Sequence, residues 1–265
     1  MQAPSSTAAD LVAQLRSQEC RQRSVLVFRG TGVNAWHYYP FLKHFSLAEL
    51  SDFAGIYGMS GGAAIVWFYV LAPTGLFDEA VGRDFDHVIR TTMNQRGAFA
   101  RVARVLRRQF PYSEEDVERF LSALPAGAAR EQTLAALPLR NFCIVAHDKH
   151  ANCLRTLDAA THPGARVIDL LSRAGTPHAD DAAVSDFDFA GGDVKREFQR
   201  LLDVRHPGLT VYQVNMLREG VSERTVFVRS CADRFPRWSQ ALDLALLFAG
   251  LPNSHYRATF ERSTS

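Results

Sequence analysis

Two short stretches decide the fold of this chain, and they read Ser24-Val-Leu-Val-Phe-Arg-Gly-Thr-Gly32 and Phe53-Ala-Gly-Ile-Tyr-Gly-Met-Ser-Gly-Gly62. Each is a short apolar run closed by glycines, which is typical of a buried strand that enters a tight turn. The second is followed by residues 63–72, which are apolar on every face and predict a helix at the centre of a domain. Pro73 and Gly75 are expected to end that helix.

Strands and helices alternate along the rest of the chain. Residues 35–45 can be helical only if the helix restarts at Pro40. The apolar patterns predict strands at 140–146, 153–157, 208–215 and 225–229, and helices at 167–173, 193–202 (with Asp193 as N-cap) and 238–249. This alternation favours an α/β fold, a three-layer α/β/α arrangement with a mostly parallel central sheet. We expect a single domain over 1–265, with its core at 24–215 and a helical insertion or cap at 78–136.

Composition and charge exclude several classes of protein. The chain has 265 residues, of which 47% are hydrophobic and 22% charged, so it is neither disordered nor a disulfide-stapled miniprotein. A net charge of +2 gives no electrostatic argument for nucleic acid. The four cysteines form no CxxC pair, and the most apolar stretch, 63–73, is too short to span a bilayer. Residues 1–23 do not resemble a signal peptide, so we expect a soluble, cytoplasmic protein.

The second turn carries a candidate nucleophile. Gly58-Met-Ser60-Gly-Gly62 matches G-x-S-x-G, and it lies between a predicted strand and a predicted helix. In that context a sharp turn lifts the serine hydroxyl above the sheet, while the helix N-terminus favours developing negative charge. The alternative is a glycine-rich turn that only packs closely against a neighbouring element.

The first turn, Gly30-Thr31-Gly32, offers backbone N–H groups directly after a strand. Such groups can hold the oxyanion that forms during acyl transfer. The turn lacks the third glycine of a dinucleotide fingerprint, and no Walker lysine follows it. A simple turn without a ligand is the other interpretation.

Together these segments resemble the patatin-like acyl hydrolases. Residues 25–36 are similar to the strand and oxyanion loop of that family, and residues 56–64 to its nucleophile turn and following helix. Residues 138–148 and 172–177 are similar to a later strand and to a turn that ends in proline. The resemblance spans about 24–215 and implies a Ser-Asp dyad, with no metal and no cofactor.

The family's base usually opens an Asp-Gly-Gly or Asp-Gly-Ala turn. The corresponding region here reads Ser185-Asp-Phe-Asp-Phe-Ala-Gly-Gly-Asp193, in which no aspartate directly precedes the glycines. The resemblance assigns the base to Asp188, with Asp186 and Asp193 as alternatives. A second departure is Asn34-Ala35, where the family commonly has Arg or Lys followed by Gly.

Other polar residues carry weaker hypotheses. His255 follows the serine and every candidate aspartate, as in a Ser-Asp-His triad, but a lone histidine here is more typical of a surface. His147, Asp148, His150 and Cys153 cluster in the sequence without a spacing that fixes metal geometry. The basic amphipathic segment 96–110 is interpreted either as a packed helix or as a peripheral contact with anionic lipid.

The expected function is hydrolysis of a lipid or other acyl ester, with Ser60 as nucleophile and Asp188 as base. The backbone of Gly30, Thr31, Gly32 and Gly61 would form the oxyanion hole. Apolar walls are expected from Trp36, Tyr38, Phe41 and Trp67. The alternatives are an acyltransferase or thioesterase that acts on a biosynthetic intermediate, and an inactive binding protein on the same scaffold.

Overall fold

A mostly parallel sheet organises the chain. The computed structural model describes residues 6–7, 12–30, 35, 38–77, 92, 113–123, 127–175, 184–187, 190–214 and 225–229. Its strands are β1 (Ser6–Thr7), β2 (Ser24–Phe28), β3 (Gly55–Met59), β4 (Phe142–Asp148), β5 (Cys153–Asp158), β6 (Val184–Asp186), β7 (Thr210–Val214) and β8 (Thr225–Arg229). The order across the sheet is β1-β8-β7-β2-β3-β4-β5, and all neighbours up to β4 run parallel. β5 and β6 both pair with β4 in the antiparallel sense.

Seven α-helices with defined bounds accompany these strands in the described part of the chain, together with short 3-10 helices at Ala72–Thr74, Gly127–Glu131 and Leu134–Ala136. The α-helices are α1 (Gln18–Gln22), α2 (Tyr39–Leu42), α3 (Leu47–Ser51), α4 (Gly61–Leu71), α5 (Glu114–Ala123), α6 (Val167–Ala174) and α7 (Gly192–Arg205). Pro40 lies in the first turn of α2, where its missing N–H has no intrahelical partner to lose. The helix therefore starts at the proline region, as the sequence predicts.

Alternate strand residues face two separate cores. Leu26, Phe28 and Ile56 belong to the larger core, which includes all the buried residues of α4 except a glycine. Val27 and Met59 face the other side, in a smaller core that α7 covers through its apolar stripe. Helices on both faces of a mostly parallel sheet make the fold three-layer α/β/α, which confirms the predicted class.

The helix α4 is buried around its whole circumference. From Gly62 to Leu71 only Tyr69 is partly exposed. A helix with no polar face can be stable only inside a core, so the even spread of apolar residues correctly predicts its position. No helix in the described ranges combines the length and apolar character needed to cross a membrane.

Most of the predicted elements are present with ends shifted by a few residues, whereas β1, α1 and α3 are not predicted from the sequence. Strand β3 continues to Met59, two residues beyond the apolar run 53–57 that predicts it, and the short strand β6 lies where the sequence predicts no strand. Asp193 is not the N-cap of α7, because Gly191 occupies that position. The predicted helix at 238–249 and the amphipathic segment 96–110 lie outside the described residues, as does 78–112 apart from Thr92.

Candidate active site

Ser60 lies at the sharp turn between β3 and α4. Its backbone has φ 48° and ψ −129°, which is a conformation that residues with a Cβ rarely adopt. Its side chain makes no capping hydrogen bond to the helix, and the residue is 7% exposed. A serine held in a strained strand-to-helix turn, with its hydroxyl not used for capping, is the geometry of a nucleophile elbow.

The two glycines of the G-x-S-x-G pattern are required by close packing. A Cβ added to Gly58 would lie 2.5 Å from Cα of Ala63, so the strand end and the helix start touch through their backbones. A Cβ added to Gly62 would lie 2.4 Å from the carbonyl oxygen of Phe28 and 2.7 Å from that of Arg29. Gly58 therefore permits the tight turn, and Gly62 permits the helix to approach the end of β2.

The end of β2 consequently lies beside Ser60. Phe28 pairs in register with Gly58, and Gly30 and Ser60 each follow two residues later in the chain, just beyond the ends of these parallel strands. Gly30 is half-buried at this edge of the sheet. Thr31 and Gly32, the other two residues of the predicted oxyanion loop, lie outside the described residues.

The first turn of α4 supplies backbone donors near the serine. The carbonyl oxygen of Ser60 accepts hydrogen bonds from Ala63 at 3.1 Å and Ala64 at 3.3 Å, which fixes the start of the helix. Gly61 and Gly62 precede these residues, at positions where N–H groups have no intrahelical acceptor. With the positive end of the helix dipole, this turn can stabilise an anion next to Ser60.

The strand β6 brings the aspartate-rich segment to the same place. Residues 146–148 of β4 pair with both β5 and β6, so β6 must occupy the edge of β4 opposite β5. Along that edge, β4 pairs with β3 up to Val145, whose partner is Met59. Asp186 pairs with Ala146, the next residue. The end of β6 therefore lies directly beyond the end of β3, where Ser60 begins its turn.

Residues on both sides of Asp188 are anchored in the smaller core. Phe187 is 1% exposed, and its ring centre lies 5.5 Å from that of Phe198 in α7. Ala190 is also buried and donates a 2.9 Å backbone hydrogen bond to the carbonyl of Phe187. Asp188 itself lies outside the described residues, but its described neighbours share a core with Met59.

Asp193 has a different environment from that expected of a buried base. Its side chain is 88% exposed and forms an ion pair with Arg196, one turn along α7. It occupies the first turn of the helix, where a carboxylate interacts favourably with the dipole. These contacts explain Asp193 as a surface residue that stabilises the start of α7.

Two residues of this region escaped the sequence analysis. Arg29 is 9% exposed, and its guanidinium carbon lies 6.0 Å from the centre of the Phe187 ring. Its backbone N–H donates to the carbonyl of Val214 at 3.2 Å. The signal for Arg29 is a charge that directly follows an apolar strand, but its partner Phe187 is more than 150 residues away in the sequence.

The aromatic residues expected as pocket walls belong to the core. Tyr38 and Trp67 are fully buried and Phe41 is 3% exposed, all in the larger core. The rings of Tyr38 and Phe41 lie 6.0 and 6.2 Å from that of Phe28, so they pack beneath the end of β2. They support the site from below, while Trp36 lies outside the described residues.

A second group of titratable residues lies at the opposite end of β3. The hydroxyl of Tyr57 and Nε2 of His206 are 2.8 Å apart, and burial lowers the pKa of His206. Burial also raises the pKa of the Cys143 thiol to about 12, so this cysteine stays protonated and is not a nucleophile at neutral pH.

The sequence cluster around His147 forms a hairpin turn. Asp148 accepts backbone hydrogen bonds from His150 and Ala151, both at 3.0 Å, and pairs with Cys153 across the hairpin. Nε2 of His147 lies 3.2 Å from Oδ1 of Asn152. Within the described ranges, no three His, Cys, Asp or Glu residues converge on a point that could hold a metal ion.

Comparisons with known proteins show a similarity to a solved structure. No family model matches this sequence, and no curated protein matches it. Among solved structures, the chain is similar to one from the heterodimeric ExoU–SpcU complex of the type III secretion system of Pseudomonas aeruginosa, with a TM-score of 0.43 and 17% sequence identity. The alignment covers 91% of this chain and 51% of the other, so this chain spans about half the length of its neighbour.

Proposed function

We propose that this protein is a serine acyl hydrolase that cleaves a lipid or other acyl ester through Ser60. The observation that carries the proposal is the strained backbone of Ser60 at a strand-to-helix turn pressed against the end of β2. Such strain costs about 1–3 kcal/mol and persists where the surrounding structure enforces it. The glycines at 58 and 62 enforce it here, because they let both neighbouring backbones approach the turn.

The proposed chemistry uses a dyad and a backbone oxyanion hole. Ser60 Oγ bonds to the ester carbonyl carbon while its proton passes to the carboxylate of Asp188. The N–H groups of Gly61 and of the 30–32 loop hold the resulting oxyanion. Its collapse breaks the bond to the alcohol, which leaves with the proton from Asp188. Water then attacks the acyl-serine, and the proton that Asp188 takes from it returns to Ser60 as the acid departs.

The choice of Asp188 rests on the placement of its neighbours. Asp186 ends a strand that continues the line of β3, and Phe187 and Ala190 are buried in the core that contains Met59. Asp188 lies between these anchors in the sequence, whereas Asp193 is exposed and paired with Arg196. Asp186 remains the alternative base, since the same strand holds it beside the turn.

The nucleophile is tested with a fluorophosphonate probe and a p-nitrophenyl acyl ester. We expect the purified protein to hydrolyse the ester and to be labelled at Ser60, and Ser60→Ala to lose labelling and ~10³-fold or more of the rate. Ser51→Ala is the matched control, because Ser51 is an exposed helical serine whose hydroxyl donates a hydrogen bond to the carbonyl of Leu47. Folded protein that is never labelled would instead support an inactive binding protein.

The identity of the catalytic base and the group that accepts the acyl chain need separate experiments. Asp188→Asn should reduce hydrolysis about as far as Ser60→Ala, while Asp193→Asn should leave it near the parent value. If Asp186→Asn abolishes activity and Asp188→Asn does not, the base is Asp186. Product analysis with an added alcohol or thiol distinguishes hydrolysis from acyl transfer or thioester cleavage.

A further inference from the structure

The strand β5 leaves one of its edges without a neighbouring strand in the described part of the chain. The order across the sheet places β1 and β5 at its two ends, and among the described strands β5 pairs with β4 alone. β1 has two residues, whereas β5 has six, so β5 presents the longer edge. A long edge with unpaired N–H and C=O groups readily accepts a strand from another molecule.

Several backbone groups on this outer edge already have partners within the chain. In an antiparallel pair, every second residue directs its N–H and C=O away from the neighbouring strand. The N–H of Leu154 donates to the carboxylate of Glu197 at 2.8 Å. Four positions later, the N–H of Asp158 donates to the hydroxyl of Thr161 at 3.3 Å, and its carbonyl accepts from the N–H of His162 at 2.8 Å. Both ends of the outer edge are therefore occupied.

Two side chains of α7 reach β5 along this edge. Glu197 is half-buried, and the next residue, Phe198, is buried in the smaller core, which fixes this part of the helix against the sheet. About two turns later, the guanidinium of Arg205 lies 3.5 Å from the hydroxyl of Thr156 and 3.8 Å from the carboxylate of Asp158. A strand that paired with β5 would have to displace the carboxylate of Glu197.

We propose that Glu197 protects the edge of β5 and prevents two copies of this chain from pairing through that edge. A hydrogen bond to a carboxylate is stronger than one between neutral groups. The N–H of Leu154 is therefore better satisfied by Glu197 than by the carbonyl of another strand. The inference does not depend on the proposed hydrolase activity.

A second copy of the chain is the partner that fits this edge. A strand that pairs in the antiparallel sense with its own copy forms a two-fold symmetric contact, in which both molecules present the same surface. In a pairing centred on Thr156, Arg155 of one copy lies opposite Leu157 of the other. Asp158 then lies opposite Leu154, so no like charges oppose each other. The sequence of β5 thus permits self-pairing, and a protected edge is what prevents it.

The test compares Glu197→Ala with Glu197→Gln by sedimentation equilibrium and by hydrogen exchange of the Leu154 amide. Alanine offers no acceptor, so at low concentration this amide should exchange at least ~10-fold faster than in the parent protein. As the concentration rises, the alanine variant should double its mass while the same amide regains protection. Glutamine keeps an acceptor oxygen of equal reach, so its variant should keep the mass of the parent.

Gln199→Ala is the matched control for these measurements. Gln199 lies on the same helix, and its side-chain amide donates to the carboxylate of Asp203 one turn along. Its loss should change neither the mass nor the exchange of the Leu154 amide. Glu197→Ser is the second variant, because its hydroxyl is too short to reach Leu154. It should associate as Glu197→Ala does, and it carries the test if the alanine variant does not fold.

Thr156→Pro locates the contact between the associated copies. Proline has no N–H to donate, and it is tolerated in edge strands. The folded double variant Glu197→Ala/Thr156→Pro should return to the mass of the parent, and continued association would overturn the proposal because another surface would then be responsible. A folded alanine variant that keeps the parent mass at every concentration would also overturn it. Neither result bears on the hydrolase, which the labelling of Ser60 tests separately.

Discussion

At the scale of single residues, the backbone conformation of Ser60 is expected to lower the stability of the protein. A φ of 48° is sterically unfavourable for residues that have a Cβ, and glycine adopts it without this strain. We therefore expect the Ser60→Gly variant to be more stable than Ser60→Ala, with a free energy of unfolding about 1 kcal/mol higher, although both variants lose the hydroxyl. Urea denaturation of the two variants measures the difference directly.

The control for this prediction is the same pair of substitutions at Ser51. That residue is the last of α3 and has helical backbone, so the glycine variant should be no more stable than the alanine variant. If the alanine variant at position 60 is also at least as stable as the glycine variant, the backbone at Ser60 is not strained.

His206 gives the molecule an acid-sensitive contact. Its pKa is lowered by burial and by the charge of Arg205, and Nε2 lies 2.8 Å from the hydroxyl of Tyr57. Because the folded pKa is below the unfolded value of about 6.5, the unfolded chain takes up the proton first. The free energy of unfolding should therefore fall as the pH drops from about 6.5 to the lowered pKa, and it should be unaffected by this group above that range.

The experiment compares the protein with His206→Gln between about pH 7.5 and 5. The difference in free energy of unfolding should shrink as the pH falls, since only the parent protein loses the contribution of neutral His206. Arg205 and Asp158 form an ion pair whose charges act on Tyr57, and both are retained in the variant. Curves that stay parallel across the range would contradict the prediction.

At the scale of elements, the approach of α4 to β2 depends on Gly62. A methyl group there would lie 2.4 Å from a backbone oxygen of β2, and backbone cannot rotate away as a side chain can. We expect Gly62→Ala to destabilise the protein by about 1–3 kcal/mol and to reduce the labelling of Ser60. Thermal unfolding and the probe reaction measure the two effects.

Gly192→Ala is the matched control for this helix start. Gly192 is the first residue of α7, and among the described residues an added Cβ would contact only the end of the Arg196 side chain, at 3.6 Å. Alanine is the better helix former, so this variant should be as stable as the parent or more stable. Equal behaviour of the two variants would mean that helix propensity, and not the contact with β2, determines the outcome.

The same elements show what local patterns can predict. The end of β2 coincides with the predicted end, because the apolar run stops at a charge followed by glycine. β3 runs two residues further than predicted, since Gly58 and Met59 keep their pairing with β4 before the turn begins. β6 escaped prediction because three residues containing an aspartate become a strand only where β3 leaves an edge of β4 free.

Some features of the candidate site can likewise be predicted from local sequence patterns, and others cannot. The glycine pattern around Ser60 predicts the turn there, because that turn is a local feature of a strand end, whereas the 30–32 loop beyond Gly30 stays a prediction. The contact of Arg29 with Phe187 joins residues that are distant in sequence, so no local pattern indicates it. The cap assigned to Asp193 was wrong because Gly191 also satisfies the geometry of a helix start.

At the scale of the whole molecule, the two faces of the sheet are covered unequally. The larger core contains α4 and residues from most of the other helices, whereas α7 covers the smaller core mainly through Val194, Phe198 and Leu202. Local opening is easiest where few apolar contacts must be broken. We infer that α7 and the segment before it form the less stable layer, which is also the layer that carries the candidate base.

This asymmetry predicts how the molecule opens. Amides of α4 should exchange hydrogen only through global unfolding, while those of α7 should exchange through a smaller opening with a lower free energy. Phe198 contacts the rings of Tyr57 and Phe187 at 5.7 and 5.5 Å, so Phe198→Ala should cost about 3–5 kcal/mol and speed exchange in α7. Val204→Ala, at a position 80% exposed on the same helix, should change neither. Equal exchange free energies in α4 and α7 of the parent protein would mean that both layers open as one unit.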